Sequence, residues 1–380
     1  MSLRLPSELK LRDAGSLKWT GMQTPDGTPA KGAWVAEMDF GTSPRISERI
    51  KSAIDDGLLG YNPAWLVDAV REATCEFQEK RFGWSVIPSN VRVASSVLGA
   101  LEAAIKCLTR PGSPIVVPTP GYMPFLTIPE KLGRTCFQVP SSEDGWQLDF
   151  AGIREALEAG AGMVILCNPW NPTGRVLTVP ELRTLESIVS QYDAIVFADE
   201  IHAPLVYGDH SSFVSYASLG PSFAKHTVTA VAASKGWNIA GLPAAQVILE
   251  DRKLRHRWDK YAAPFTHGAT TLGLLATQIA YTTEEEWLDE VLEYVSGNLD
   301  YLDEAMKGTN IRYQRPEATY LTWWGWDRSD PATAIRAAGV GVNPGSSLGI
   351  DYKNWARVNA ATPAPLWREI VDLSIGALQD

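Results

Sequence analysis

Residues 163–200, MVILCNPWNPTGRVLTVPELRTLESIVSQYDAIVFADE, decide the fold. Met163–Cys167 is a continuous apolar run of strand length. Pro180–Tyr192 has helical apolar spacing, with Pro180 near its start, where a missing N–H costs nothing. Ala194–Ala198 is a second apolar run. A strand with no polar face, then a helix, then another such strand predict a mostly parallel sheet covered on both faces.

Working outward, Leu98–Leu108 reads as a helix, Pro114–Val117 as a strand bounded by prolines and Thr227–Ala232 as a further strand. After residue 250 the pattern changes. Thr283–Met306 is one long helical stretch with acidic residues at its start, which suits the helix dipole. Arg312–Trp326 and Tyr352–Asn359 read as strands of a smaller sheet, and Pro331–Ala338 and Pro365–Leu378 as helices. The expected organisation is a large α/β domain at 45–260. A smaller α+β domain then uses 261–380, joined by the N-terminal segment 1–44.

Composition narrows the function classes. The chain has 380 residues, and its net charge of −10 with no Lys/Arg run argues against nucleic acid as a partner. No uncharged apolar stretch reaches the ~18 residues of a membrane span. Met1–Lys18 lacks the apolar core of a signal peptide. The four cysteines, Cys75, Cys107, Cys136 and Cys167, have no metal-like spacing, and reduced thiols fit a cytoplasmic setting. The five histidines, His202, His210, His226, His256 and His267, show no paired ligand spacing, so no metal site is expected. No G-x-S-x-G serine-hydrolase elbow is present.

Four features stand at predicted strand ends, where open α/β sheets bind ligands. Ser95-Ser96-Val97-Leu98-Gly99-Ala100 opens a helix, whose free N–H groups make an anion site; a plain Ser cap is the simpler reading. Cys167-Asn168-Pro169-Trp170-Asn171-Pro172-Thr173-Gly174 is a rigid turn able to aim the Asn171 amide. Asp199 and Glu200 end a strand, where a buried carboxylate needs a cation or several donors; a capping Asp with a surface Glu is the alternative. Ser234-Lys235-Gly236-Trp237-Asn238 puts a lysine at the end of a buried strand, where desolvation lowers its pKa and favours Schiff-base formation. Each is weak alone. In this order they supply a phosphate cradle, a ring-hydroxyl partner, a pyridinium partner and a Schiff-base lysine, the parts of a pyridoxal 5'-phosphate (PLP) site.

The order and spacing resemble the fold-type I PLP-dependent enzymes, the aspartate aminotransferase superfamily, from about Trp34 to Arg357. Trp34-Val35-Ala36-Glu37-Met38-Asp39-Phe40 and residues 234–242 are similar to the MalY/PatB-type cystathionine β-lyase (C–S lyase) branch. The resemblance implies a seven-stranded, mostly parallel sheet sandwiched by helices. It implies that Lys235 holds PLP, Asp199 pairs with the ring nitrogen, and Asn171 and His202 bond the ring hydroxylate. Tyr122 would stack on the ring and take part in catalysis. Ser96, Val97, Leu98 and Ser234 would bind the phosphate. Arg357 would clamp the substrate α-carboxylate, with Ala36 and Glu37 lending a backbone N–H. Tyr61 would reach the neighbouring subunit's phosphate and substrate, making a homodimer with shared sites. Trp34, Tyr320 and His267 are candidate pocket residues.

One departure stands out. Many relatives carry an arginine shortly after the lysine to grip the phosphate. Here position 243 is Pro243 and the next arginine is Arg252. Phosphate binding would rely on other donors, with 266–271 of a second subunit a candidate. The implied activity is β-elimination of S-substituted cysteines such as cystathionine. The alternatives are an aminotransferase using the same residues and a regulatory protein retaining the fold.

Overall fold

The computed structural model describes residues 3–209, 212–328 and 330–379. Seven strands form the main sheet: β1 Val91–Ala94, β2 Ile115–Thr119, β3 Cys136–Pro140, β4 Met163–Cys167, β5 Ile195–Asp199, β6 Thr227–Val231 and β7 Ala245–Ile248. Their order is β1-β7-β6-β5-β4-β2-β3. Only β7 runs against its neighbours β1 and β6; the other pairs are parallel. Every residue of β2, β4, β5 and β6 is buried. That is why these strands are apolar runs rather than alternating patterns.

The decisive stretch folds as expected, with its helix at Val179–Val189. Thr178 and Glu181 form a reciprocal capping box at its start, which satisfies two N–H groups that would otherwise lack partners. The turn before it is tied down by Asn168, whose side-chain oxygen accepts the Leu177 N–H at 2.9 Å. Gly174 has φ +72, and a Cβ there would come within 2.2 Å of Pro316 Cβ. Only glycine meets both demands at this junction with the smaller sheet.

That smaller sheet comprises β8 Arg312–Tyr313, β9 Leu321–Gly325, β10 Asn343–Pro344 and β11 Trp355–Asn359, in antiparallel order β10-β11-β9-β8. The expectation of one strand over Arg312–Trp326 is corrected to two. Residues 317–319 spend their N–H groups on the carbonyls of Gly174 and Leu205, and Thr319 turns to φ +70. Strand β11 starts at Trp355, not Tyr352, because Tyr352 is held elsewhere through its hydroxyl on Thr119 O at 2.7 Å. The helical stretch from Thr283 also breaks. One helix ends at Thr283, another runs Glu285–Met306, and the Glu284 carbonyl between them takes the Trp237 indole N–H at 2.9 Å.

One core lies around the main sheet. A second joins the smaller sheet to helices Pro44–Asp55, Ala64–Phe82 and Thr271–Thr283. The N-terminal segment is bolted to this second body. Lys31–Gly32 pairs in parallel with Val340–Gly341. Lys18 and Asp39 form a buried ion pair at 2.9 Å, and Lys18 also donates to Ala361 O at 3.1 Å. No helix among the described residues is long and apolar enough to cross a membrane.

The sheet register positions the site. Cys167 lies beside Asp199, and Asp199 beside Ala230. The chain therefore leaves three adjacent parallel strands at one edge. The Asn171 turn, Asp199–His202 and the Lys235 loop all start there, in the crevice such sheets offer to ligands.

Candidate active site

A cavity of about 280 Å³ opens at that edge. Ser96, Val97 and Leu98 line it on one side, Tyr122, Asn171, Asp199 and His202 on others, and Ser234, Lys235 and Ala36 complete the wall. The site residues expected from sequence are thus brought together, apart from Tyr61, Glu37 and Arg357 and the pocket candidates Trp34, Tyr320 and His267, none of which lines the cavity. Arg357 joins through Asn171, to whose side-chain oxygen it donates at 3.0 Å. Glu37 contributes its charge, which acts on Lys235.

Lys235 follows β6 and donates to the Ala36 carbonyl at 2.9 Å. Burial is the main cause that brings its pKa down to about 8, with the Arg357 charge acting the same way and Glu37 and Asp199 opposing. A substantial neutral fraction of this amine is therefore present near physiological pH, as a nucleophile or proton acceptor needs. Asp199 accepts the Ile201 N–H at 3.1 Å, and burial pushes its pKa up to about 7. His202 is buried, its Nδ1 has no partner, and burial with the Lys235 and Arg357 charges lowers its pKa to about 3. It is neutral here.

Arg357 on β11 is 2% exposed. Its guanidinium donates to Asn171 Oδ1 at 3.0 Å, Trp34 O at 3.0 Å and Asn343 Oδ1 at 2.7 Å, while Nε has no partner. Among the described residues no carboxylate pairs with it. Burying a cation against neutral carbonyls alone lowers its pKa to about 10. The same contact leaves the Asn171 amide N–H₂ available to a ligand. At the opposite end, Ser96 caps helix Val97–Leu108 by accepting the Gly99 N–H at 3.0 Å. The first-turn N–H groups of Val97 and Leu98 have no intrahelical acceptor and remain for an anion.

Several expectations are corrected. Glu200 is neither a surface group nor part of the cavity. It is 1% exposed and turned to Ser215 Oγ at 2.9 Å and the Tyr216 N–H at 3.0 Å. Ala36 presents its carbonyl to Lys235, and the Glu37 N–H is spent on Val35 O, so no N–H of Glu37 remains to lend. Tyr61 is fully exposed and does not line the cavity of its own chain. Its turn is tied to 269–271 through Asn62 Nδ2 on Ala269 O at 2.8 Å and Thr271 Oγ1 on Gly60 O at 2.8 Å. His267 is exposed and outside the cavity, and His210 lies outside the described residues. Tyr320 is buried with its hydroxyl on Ala36 O at 3.0 Å. Sequence reasoning missed Asn343, Asn359 and the side chain of Asn238; nothing in their local sequence distinguishes them from ordinary turn or strand asparagines.

The family model for aminotransferase class I and II matches residues 35–372, which is most of the chain and includes all of these groups except Trp34. This chain belongs to the aminotransferase class I and II family. Within that family it is 34% identical to cystathionine β-lyase of Corynebacterium glutamicum, over 94% of this chain and 95% of that one. It is 32% identical to cystathionine β-lyase PatB of Bacillus subtilis, over 88% of each. A crystal structure from Corynebacterium diphtheriae, described as a candidate PLP-dependent β-cystathionase, superposes with a TM-score of 0.91 at 30% identity over 100% of both chains. The fold is fold-type I and the branch is the MalY/PatB-type cystathionine β-lyases.

Proposed function

We propose that this chain is a PLP-dependent carbon–sulfur β-lyase acting on L-cystathionine and related S-substituted L-cysteines. The observation that carries the reading is the buried Lys235 amine, with its pKa brought down to about 8, sharing one crevice with a buried acid and an unpaired buried arginine. The residues fit PLP. Asp199 bonds only an N–H of its own chain and lacks the cation that a buried carboxylate calls for, a place a protonated ring nitrogen fills. His202 Nδ1 and the Asn171 amide stand ready for the ring oxygen. Val97, Leu98, Ser96 and Ser234 would hold the phosphate, with Pro243 rather than an arginine at position 243. Tyr122, which lines the same cavity, would lie against the ring.

PLP supplies an electron sink that acidifies the substrate Cα–H bond. The chain's own groups do the rest. Arg357 takes the α-carboxylate as a planar fork. The neutral Lys235 amine accepts the Cα proton, and the Cβ–S bond breaks with the thiolate leaving. Water completes the balance, giving pyruvate, ammonia and a thiol, which is homocysteine when cystathionine is the substrate. We place the cofactor contacts within 45–260, with 1–44 and 261–380 supplying Ala36 and Arg357. We further propose a cytoplasmic homodimer serving sulfur amino-acid metabolism and methionine synthesis. The fully exposed Tyr61, flanked by exposed Leu59 and Trp65, supports a partner at that face.

The test is substrate cleavage without an oxo-acid acceptor. Purified protein loaded with PLP is expected to release pyruvate and thiol from cystathionine, and Lys235→Ala to release neither. Amino transfer that needs an acceptor, with no free thiol, would establish the aminotransferase alternative instead.

A further inference from the structure

Segment 35–38 runs between the lysine loop and the arginine strand, and its carbonyls are not left to chance. Asn359, two residues past Arg357 and fully buried, donates through Nδ2 to Val35 O at 2.6 Å and Glu37 O at 2.7 Å. Its Oδ1 is fixed by the Ala361 N–H at 2.7 Å. Asn238, three residues past Lys235, treats Met38 as a strand partner would. Its Oδ1 accepts the Met38 N–H at 2.9 Å, and Nδ2 donates to Met38 O at 2.9 Å and Gly41 O at 3.0 Å. Asn238 holds φ +55, a left-handed conformation that asparagine tolerates better than most residues. The carbonyls of 35, 37 and 38 are thereby occupied. The intervening Ala36 carbonyl is the one facing Lys235 Nζ at 2.9 Å, shared with the Tyr320 hydroxyl at 3.0 Å.

We propose that Asn238 and Asn359 are positioning residues for Lys235: they clamp segment 35–38 from both bodies so that the Ala36 carbonyl is a fixed docking point for the lysine amine. Resting on the lyase reading, this assigns the clamp the task of parking the amine whenever it is free. One N–H is committed to Ala36, and the rest of the nitrogen remains for the cavity. The clamp also links the loop that carries Lys235 to the strand that carries Arg357, so base and carboxylate clamp share one fixed reference. The other ionisable groups facing Lys235 are Asp199 and His202 at the end of β5, Glu37 on the clamped segment, Arg357 on β11 and Tyr320 beside the shared carbonyl.

The experiment uses the full-length chain, freed of PLP and then reloaded, following visible absorbance as PLP is captured at a series of pH values. Imine formation needs the unprotonated amine, so the pH midpoint of the capture rate reads the lysine itself, independently of turnover. A carbonyl acceptor favours the protonated amine. Asn238→Gly, which keeps the left-handed turn but removes the amide, is expected to lower the midpoint by about one pH unit. Asn359→Ser is expected to shift it the same way and serves if Asn238→Gly does not fold. Arg134→Met is the control. Arg134 is buried and donates to the carbonyls of Arg110, Ser113 and Ile105, at the edge of the main sheet opposite the site and away from segment 35–38. An unchanged or raised midpoint in the clamp variants, or an equal shift in the control, overturns the inference while leaving the lyase reading intact. Capture that persists in Lys235→Ala instead overturns the lysine assignment, and the clamp proposal with it.

Discussion

Replacing Arg357 with methionine tests the site where its electrostatics are most exposed to experiment. The guanidinium is 2% exposed and meets three neutral oxygens, so its charge is carried without an anion. Burial lowers its pKa from the ordinary arginine range to about 10. At ~1.4 kcal/mol per pH unit this is a penalty on the order of 3 kcal/mol for holding the cation. For a base the sign is clear. The penalty is present below the folded value, where both states are charged, and vanishes above the unfolded one. At neutral pH the fold therefore carries the full cost, and a bound carboxylate recovers it. Arg357→Met removes both the cost and the recovery. Truncating one side of a buried charge pair typically costs about 2–5 kcal/mol, so kcat/KM for cystathionine should fall by roughly 30- to 5000-fold. PLP capture should persist. Arg357→Lys should fall between, because an ammonium keeps the charge but not the fork. The assays are pyruvate release over a substrate series, and thermal melting with and without a carboxylate-bearing substrate analogue. The analogue should raise the wild-type melting temperature and leave the variant unmoved. A variant within about threefold of wild type in kcat/KM, or stabilised equally by the analogue, refutes the role.

Two further outcomes are expected. Glu200 is a buried acid whose pKa rises from 4.5 to about 8, with Oε2 unpartnered. The folded state holds this proton more tightly, so stability is greatest below the unfolded pKa and falls as pH rises toward about 8. Glu200→Gln keeps an acceptor for Ser215 and Tyr216 and should flatten that fall by up to a few kcal/mol in urea unfolding at mildly acid and mildly alkaline pH; an unchanged pH slope contradicts it. If sites are shared across a homodimer, Tyr61→Ala and Lys235→Ala proteins, each nearly inactive, should regain activity when unfolded and refolded together. One site of the hybrid then has both native side chains. No recovery in the mixture, with hybrids shown to form, would place Tyr61 outside the partner's site.

The main sheet was legible because its chemistry is local. Strands buried on both faces must be apolar throughout, and the helix after Thr178 carries its start signal in a capping box and Pro180. Lys235, Asp199 and Asn171 were legible for a related reason: each follows one of those strands, and parallel strands deliver their ends to a common edge. Three strands escaped notice: Val91–Ala94 and Cys136–Pro140 are partly exposed edge strands, and the buried Ala245–Ile248 is only four residues long and interrupted by Gln246, so none shows a continuous apolar run.

What the chain could not disclose by itself is which polar group meets which. Glu200 reads as a surface acid beside Asp199, yet successive residues leaving a strand point to opposite sides, and its side lies in the core against Ser215 and Tyr216. The break within 312–326 was written by the carbonyls of Gly174 and Leu205, far away in sequence. Segment 35–38 depends on asparagines about 200 and 320 residues distant. Apolar patterning reports whether a residue is buried, a property set by the average surroundings. A hydrogen bond depends on a distance and an angle between two particular atoms, and those are settled only when the two bodies pack.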